Sequence, residues 1–290
     1  MHLSQKKYAT DLLSKTNMLH STACSTPVVI GNKLSLHDGD LFADPSLYRN
    51  TIDALQYLTL SRPDLSYIVN NLSQFLVAPS QLYWQVCKRV LRYTKGTVDF
   101  RLWFTPTPRL QLEGYVDADW ASSVDDRRST NGYYIFLGNN LLTWSFKKQH
   151  VVARSSTESE YQALAHATSE LVWLQFVFSE LGFPIAHCPI LWCDNLGAKS
   201  LAQNPVFHAR TKHIEIDVHF VRENLLNGQV EIRYIPTASQ IADLLTKPLS
   251  VAQFEILLSK LTVALPQLCL RGNVRVNTSL ALSQTSSAIH

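Results

Sequence analysis

The chain has 290 residues, a hydrophobic fraction of 46% and a net charge of only +3, enough apolar content for one large or two ordinary domains. It reads as soluble and globular, and its overall charge does not announce a nucleic-acid binder, so any basic surface must be local. No apolar run approaches the ~20 residues of a membrane span, and the start (Met1, His2, Leu3, Ser4, Gln5, Lys6, Lys7) lacks the apolar stretch of a signal peptide. Cys24, Cys87, Cys188, Cys193 and Cys269 are odd in number and scattered. That favours reduced thiols and an intracellular setting, cytoplasmic or nuclear, with Cys188 and Cys193 as core thiols.

Residues 1 to about 107 read as mostly helical. Tyr8, Leu12 and Leu13 mark one amphipathic helix, and Leu47, Ile52, Leu55 and Leu58 a second, from 46 to about 60. Pro63 starts a third through Tyr67, Ile68 and Leu72, and Pro79 opens a fourth that ends at Gly96. The span from 24 to 44 is a loop.

Near Pro106 and Pro108 the period changes from helix to strand, which marks a domain boundary. Leu112, Gly114 and Val116 alternate with Glu113, Tyr115 and Asp117 as a strand. Segments 133–137 and 141–146 form a hairpin around Gly138, Asn139 and Asn140. A long helix follows from about 156 to 181, stopped by Gly182 and Pro184. Then come a strand at 190–193, a short helix from Asn195, a helix around 212–226, a strand at 230–235 and a short helix carrying Asp243. This order describes a mixed sheet with helices packed on it, spanning 108–250. Residues 251–290 read as a short helix and a tail. Periodicity is lost from about Thr262, and the Ser/Thr-rich end from Asn277 is expected to fray.

Asp117 ends the first strand and Asp194 the fourth, at the carboxyl edge of the sheet where open α/β sheets place ligands. Each is also an ordinary turn residue, as Asp119 and Asn195 beside them are. Glu158 and Glu160 both fit a capping box, with Ser155 and Thr157. Helical phase separates them: Glu160 shares a face with Leu164, Ala167 and Leu171, whereas Glu158 aligns with Gln162 and Ser169 on a wetter side. An inward Glu160 needs a partner or a metal. Asp243 is either a further ligand or a first-turn aspartate favoured by the helix dipole. Convergent carboxylates suit Mg²⁺, which prefers oxygen ligands, and they resist converging without it: like charges ~4 Å apart repel by about 4 kcal/mol at an effective dielectric of 20.

Basic residues cluster at Lys88, Arg89, Arg92 and Lys95, at Arg127 and Arg128, and at Lys147, Lys148 and Arg154. Each cluster by itself reads first as a solvated face, and only a position near a catalytic site changes that. His213 and His219 are not spaced as a metal pair.

Six stretches occur in an order that resembles the end of the polymerase polyprotein of copia-type retrotransposons. They are Gly-Tyr-Val-Asp-Ala-Asp-Trp-Ala (114–121), Asp-Arg-Arg-Ser-Thr-Asn-Gly-Tyr (126–133), Arg-Ser-Ser-Thr-Glu-Ser-Glu-Tyr-Gln-Ala-Leu (154–164), Trp-Cys-Asp-Asn (192–195), Thr-Lys-His-Ile-Glu-Ile (211–216) and Ala-Asp-Leu-Leu-Thr-Lys-Pro-Leu (242–249). Upstream, Tyr48, Arg49, Leu55, Tyr57, Leu58, then Arg62, Pro63, Asp64, then Leu91, Arg92, Tyr93, Lys95, Gly96 and Thr97 look like the helical tail of the reverse transcriptase. The resemblance implies an α/β ribonuclease H-like fold with a mixed five-stranded sheet and flanking helices, preceded by the mainly helical segment. It implies that Asp117, Glu160, Asp194 and Asp243 hold two Mg²⁺ ions, with Mn²⁺ a substitute, and cut the RNA strand of an RNA/DNA hybrid. Arg127, Arg128, Lys147, Lys148 and Arg154 are the expected hybrid contacts, the rest of the Pol polyprotein an expected partner, and virus-like particles a further location.

Asp53 stands where the family usually has glycine, Tyr83 where it usually has histidine, and no histidine precedes Asp243 where many cellular ribonucleases H carry one. Tyr-Val-Asp-Ala-Asp (115–119) is only superficially similar to the polymerase motif, and polymerisation by this chain alone is not expected, because the family's polymerase aspartates are absent from it. The alternative function is an inactive retroelement remnant that binds nucleic acid. An integrase or transposase core is disfavoured, because its helical glutamate follows two aspartates, whereas here Glu160 comes second.

Overall fold

A computed structural model describes residues 1–265 apart from 32–33, 37, 108 and 204–213. Pro108, His213, Cys269 and the end from Asn277 therefore lie outside the described residues.

The N-terminal part begins with β1 (His2–Leu3) and the helices α1 (Lys6–Lys15), α2 (Pro45–Leu58), α3 (Ser66–Ser73) and α4 (Gln81–Gly96). Helix α2 starts at Asp44, whose carboxylate accepts from the Leu47 N–H, with Pro45 in the first turn, where its missing N–H costs nothing. Ser80 caps α4 in the same manner. The helices bury Leu13, Tyr48, Ile52, Leu55, Leu72, Val90 and Leu91 completely or nearly so. A 3-10 turn at Pro63–Leu65 feeds α3. There the buried Arg62 pairs with Asp64 at 2.7 Å and also donates to the carbonyl and hydroxyl of Thr97, while the Tyr93 hydroxyl donates to Asp64. Every charge in that knot is answered, which a buried pair requires.

The basic cluster on α4 is a clamp. Arg89 donates to Thr26 Oγ1, Arg92 to the Thr22 carbonyl and Lys95 to the Ser21 carbonyl, tying down the loop that follows α1. Asp53 lies on the exposed face of α2, and Tyr83 is fully buried, stacked on Phe75 with ring centroids 4.2 Å apart. Both departures from the family pattern are thus accommodated.

Strand β2 (Arg101–Trp103) leads to the large sheet: β3 (Leu112–Asp119), β4 (Thr130–Leu137), β5 (Asn140–Lys148), β6 (Ile190–Cys193) and β7 (Glu231–Tyr234), ordered β5-β4-β3-β6-β7. The first three run antiparallel, and β6 and β7 lie parallel to β3. Helices α5 (Ser156–Glu180), α6 (Leu196–Gln203) and α7 (Glu215–Leu226) cover one face. This is the mixed five-stranded α/β sheet with flanking helices expected of a ribonuclease H-like fold.

Alternation along β3 and β4 assigns the two faces. Leu112, Val116 and Ile135 pack under α5, whereas Tyr134 and Phe136 point into the core built by the N-terminal helices. Helices α8 (Asp243–Thr246) and α9 (Val251–Leu258) lie on this second face and add Leu244, Leu245, Phe254 and Leu257. The loss of structure expected from about Thr262 is corrected: β8 (Val263–Ala264) pairs with Arg101 and Leu102, and β1 pairs with the other edge of β2. The segment from 251, set apart in the sequence, thus completes the N-terminal core and a small antiparallel sheet.

Because one core joins both parts, residues 108–250 alone should expose Tyr134, Phe136, Leu141, Leu244 and Leu245, each worth about 1.5–3 kcal/mol when buried. The fragment is expected to bind a hydrophobic dye and melt well below the whole chain. A monomeric, dye-silent fragment with an unchanged Tm would refute this.

Candidate functional site

Four acidic side chains reach one place from four elements. Asp117 comes from β3, on the face opposite Val116, and the strand continues past it to Asp119, which pairs with Thr130; the expectation that Asp117 ends the strand is corrected. Asp194 follows β6, on the strand beside β3. Glu160 projects from the start of α5, and Asp243 opens α8. Ligand oxygens of Asp117, Asp194 and Asp243 lie within 4.8 Å of one another, and so do a Glu160 oxygen, an Asp194 oxygen and the Cys193 sulfur. Asp194 belongs to both groups and joins them.

The approach of α8 depends on Gly132, which faces Asp117 across the β3–β4 ladder. A Cβ there would stand 2.7 Å from the Cβ of Leu245, so only glycine lets α8 lie this close to the sheet. That closeness brings the Thr246 hydroxyl to Asp117 Oδ2 and the Lys247 ammonium to Asp117 Oδ1 and Asp243 Oδ1, 2.9 Å from each. The loop before α8 is pinned by Gln240, fully buried, whose amide donates to the Val116 carbonyl at 2.9 Å. Thr237 donates to Asp194 Oδ2 at 2.9 Å.

Glu160 is nine-tenths buried, and among the described residues its Oε2 has no hydrogen-bond partner; the same holds for Asp194 Oδ1. Orphaned carboxylate oxygens in a dry place are what a cation would satisfy. Glu158 is as buried as Glu160, which corrects its expected place on a wetter side; Gln162 is buried too, and Ser169 is exposed. Its carboxylate does a different job, accepting from the Arg154 N–H at 2.8 Å while Ser155 caps the helix by accepting from the Glu158 N–H. Cys193 is a buried thiol, bonded to the Asn195 backbone, and burial pushes its pKa up. The donors left over are hard oxygens, a set that fits Mg²⁺ or Mn²⁺.

The proposed phosphate contacts are not equivalent. Arg127, Arg128, Lys147 and Arg154 are exposed. Lys148 is half-buried and bonded to Asp126 and Ser123 at 3.0 Å and to Gln74 at 3.3 Å. Successive residues of β5 face opposite sides, so Lys147 lies on the α5 side, near His166, whose pKa is lowered by burial and then by Lys147. Lys247, four residues after Asp243, is a further member of the site that the acidic pattern alone does not single out, bonded to Asp243 and to Asp117.

Burial raises the carboxyl pKa values of Asp117, Glu160 and Asp243. Asp117 lies above its ordinary value, with Lys247 pulling back; Glu160 lies well above, with Asp117 and Asp194 adding to burial. Asp243 is pushed up to about 7 by burial and Asp117. For Lys247 burial opposes the charge, but Asp117 and Asp243 outweigh it and hold the ammonium protonated.

No protein-family model matches the chain. The chain is 47% identical over 255 residues to the retrovirus-related Pol polyprotein from transposon RE2 of Arabidopsis thaliana, covering 88% of this chain and 18% of that protein. It is 45% identical over 263 residues to the corresponding polyprotein from transposon RE1 of the same plant, covering 91% and 18%. It therefore spans about a fifth of the length of these relatives. Among solved structures, ribonuclease H1 from Halobacterium salinarum NRC-1 is similar at 18% identity with a TM-score of 0.35, over 47% of this chain and 94% of that one.

A carboxyl whose pKa is higher folded than unfolded binds more protons in the folded state, so its contribution to stability falls as pH rises. For Asp243 the fall runs from its ordinary 3.8 to about 7 and then levels off. In chelator, Asp243→Asn should therefore gain in Tm on the wild type across that window, and Mg²⁺ should reverse the gain by stabilising the charged wild-type site. A Tm difference that stays constant with pH would contradict the assignment.

Proposed function

Because the chain belongs to the Pol polyproteins of copia-type retrotransposons, we propose that its sheet domain, residues 108–250, is the ribonuclease H that works beside the reverse transcriptase and hydrolyses the RNA strand of RNA/DNA hybrids. The observation that carries this is the convergence of Asp117, Glu160, Asp194 and Asp243, with buried oxygens of Glu160 and Asp194 left without a partner. In this reading Asp117, Glu160, Asp194 and Asp243 would together hold a pair of divalent ions. Two Mg²⁺, or Mn²⁺ in their place, would offset charge on the attacking water, the phosphate and the leaving oxygen.

The protein's own work is positional. Strand β3 and the end of β6 fix Asp117 and Asp194 side by side, α5 sets Glu160 against them, and α8, held down over Gly132, sets Asp243. Hybrid is held by its phosphates, with Lys147 and Arg154 at the mouth of α5 as contacts and Arg127 and Arg128 beyond them. The rest of the polyprotein is the proposed partner and the cell interior the proposed location. Among the described residues, no helix is long and apolar enough to cross a membrane.

Incubating the whole chain with a labelled hybrid and Mg²⁺ should cut the RNA strand, and Asp117→Asn should slow cutting about 100-fold or more, beyond what outer-shell partners of a metal cost. No cutting, or cutting unchanged in the variant, would sink the proposal, and the absence of any Mg²⁺- or Mn²⁺-dependent Tm shift would favour the inactive remnant. Charge reversal at Lys147 and Arg154 should flatten the log-log salt dependence of hybrid binding by roughly 0.9 per lost phosphate contact. An unchanged slope would move the contact surface elsewhere.

A further inference from the structure

The carboxylates of the site divide into two unlike halves. On one side Glu160 Oε2 and Asp194 Oδ1 are buried without a partner among the described residues. On the other, Asp117 and Asp243 already share a cation: Lys247 Nζ sits 2.9 Å from an oxygen of each. Asp117 and Asp243 are almost wholly buried, while the Lys247 side chain is about one-third exposed, so the ammonium is plugged into the pair from the solvent side. Proline follows at 248, and α8 ends at Thr246, which fixes the base of the lysine four residues from Asp243 on the same helical face.

A divalent ion of the Mg²⁺ kind needs carboxylate oxygens at about 2.0–2.1 Å in near-octahedral array. While the Lys247 ammonium is bonded to Oδ1 of both Asp117 and Asp243, it fills the point between those oxygens and repels a divalent ion brought there. We propose that Lys247 is a resident cation occupying one of the two metal positions, so that the protein without nucleic acid binds one divalent ion, at the unpartnered oxygens of Glu160 and Asp194, and admits a second only when Lys247 leaves. The assignment rests on the metal reading of the site given above. It makes Lys247 a positioning residue that sets the number and order of bound ions.

Titration calorimetry of the whole, chelator-treated chain with Mn²⁺, in the absence of nucleic acid, reads the count directly. The wild type should take up one ion and Lys247→Met two, and electron paramagnetic resonance should show a spin-coupled Mn²⁺ pair in the variant and isolated Mn²⁺ in the wild type. Lys247→Arg, which keeps a cation at that point, should bind one. Two ions in the wild type overturn the role of Lys247 while leaving the metal reading intact, and this measurement decides the matter even if Lys247→Met does not fold. One ion in a folded Lys247→Met also overturns it. No ion in the wild type or in any folded variant overturns the metal reading and this assignment together.

Discussion

Burying the Asp117 carboxylate is the constraint on which the rest of the structure depends. An ion held away from water costs several kcal/mol unless its surroundings replace the lost hydration, and Asp117 has no exposed surface at all. Its replacements are the Thr246 hydroxyl and the Lys247 ammonium, both delivered by α8. Helix α8 is four residues long, too short to hold itself together by its own hydrogen bonds. It stays in place because Leu244 and Leu245 are sunk in the core that the N-terminal helices build, and because Gly132 removes the one Cβ that would keep it off the sheet. The helical segment that precedes the sheet domain is therefore part of the site's support: it anchors the short helix that neutralises the most buried acid.

The two faces of the large sheet divide the labour in consequence. Helices α5, α6 and α7 form the apolar layer on which Glu160 is mounted, and the opposite face is shared between α8, α9 and the N-terminal helices. The carboxylates meet where the two layers come round the end of β3. Neither layer contains the whole quartet, so a shift of one layer against the other changes the site before it changes either core.

Much of this was legible in the sequence because the signals were long or doubled. Helix α5 shows many turns of period and a stop at Gly182, and β3 and β4 alternate cleanly enough that Tyr134 and Ile135 separate onto different cores. Helical phase chose Glu160 as the inward glutamate, but it misplaced Glu158, because α5 is buried on every side from Glu158 to Ala165. Strands β1, β2 and β8 were missed, since two or three residues cannot display alternation. Lys247 is illegible for another reason: a lysine in a motif reads as a solvated charge until the fold shows which acids it touches. The basic cluster on α4 reads the same way, and turned out to fasten a loop.

Strand β2 receives β1 on one edge and β8 on the other. The first residues of the chain and those near 264 therefore run alongside each other, separated by a single strand. Tension applied between these two points is carried across β2 by a few hydrogen bonds in the small sheet, and the five-stranded sheet lies outside the line of load.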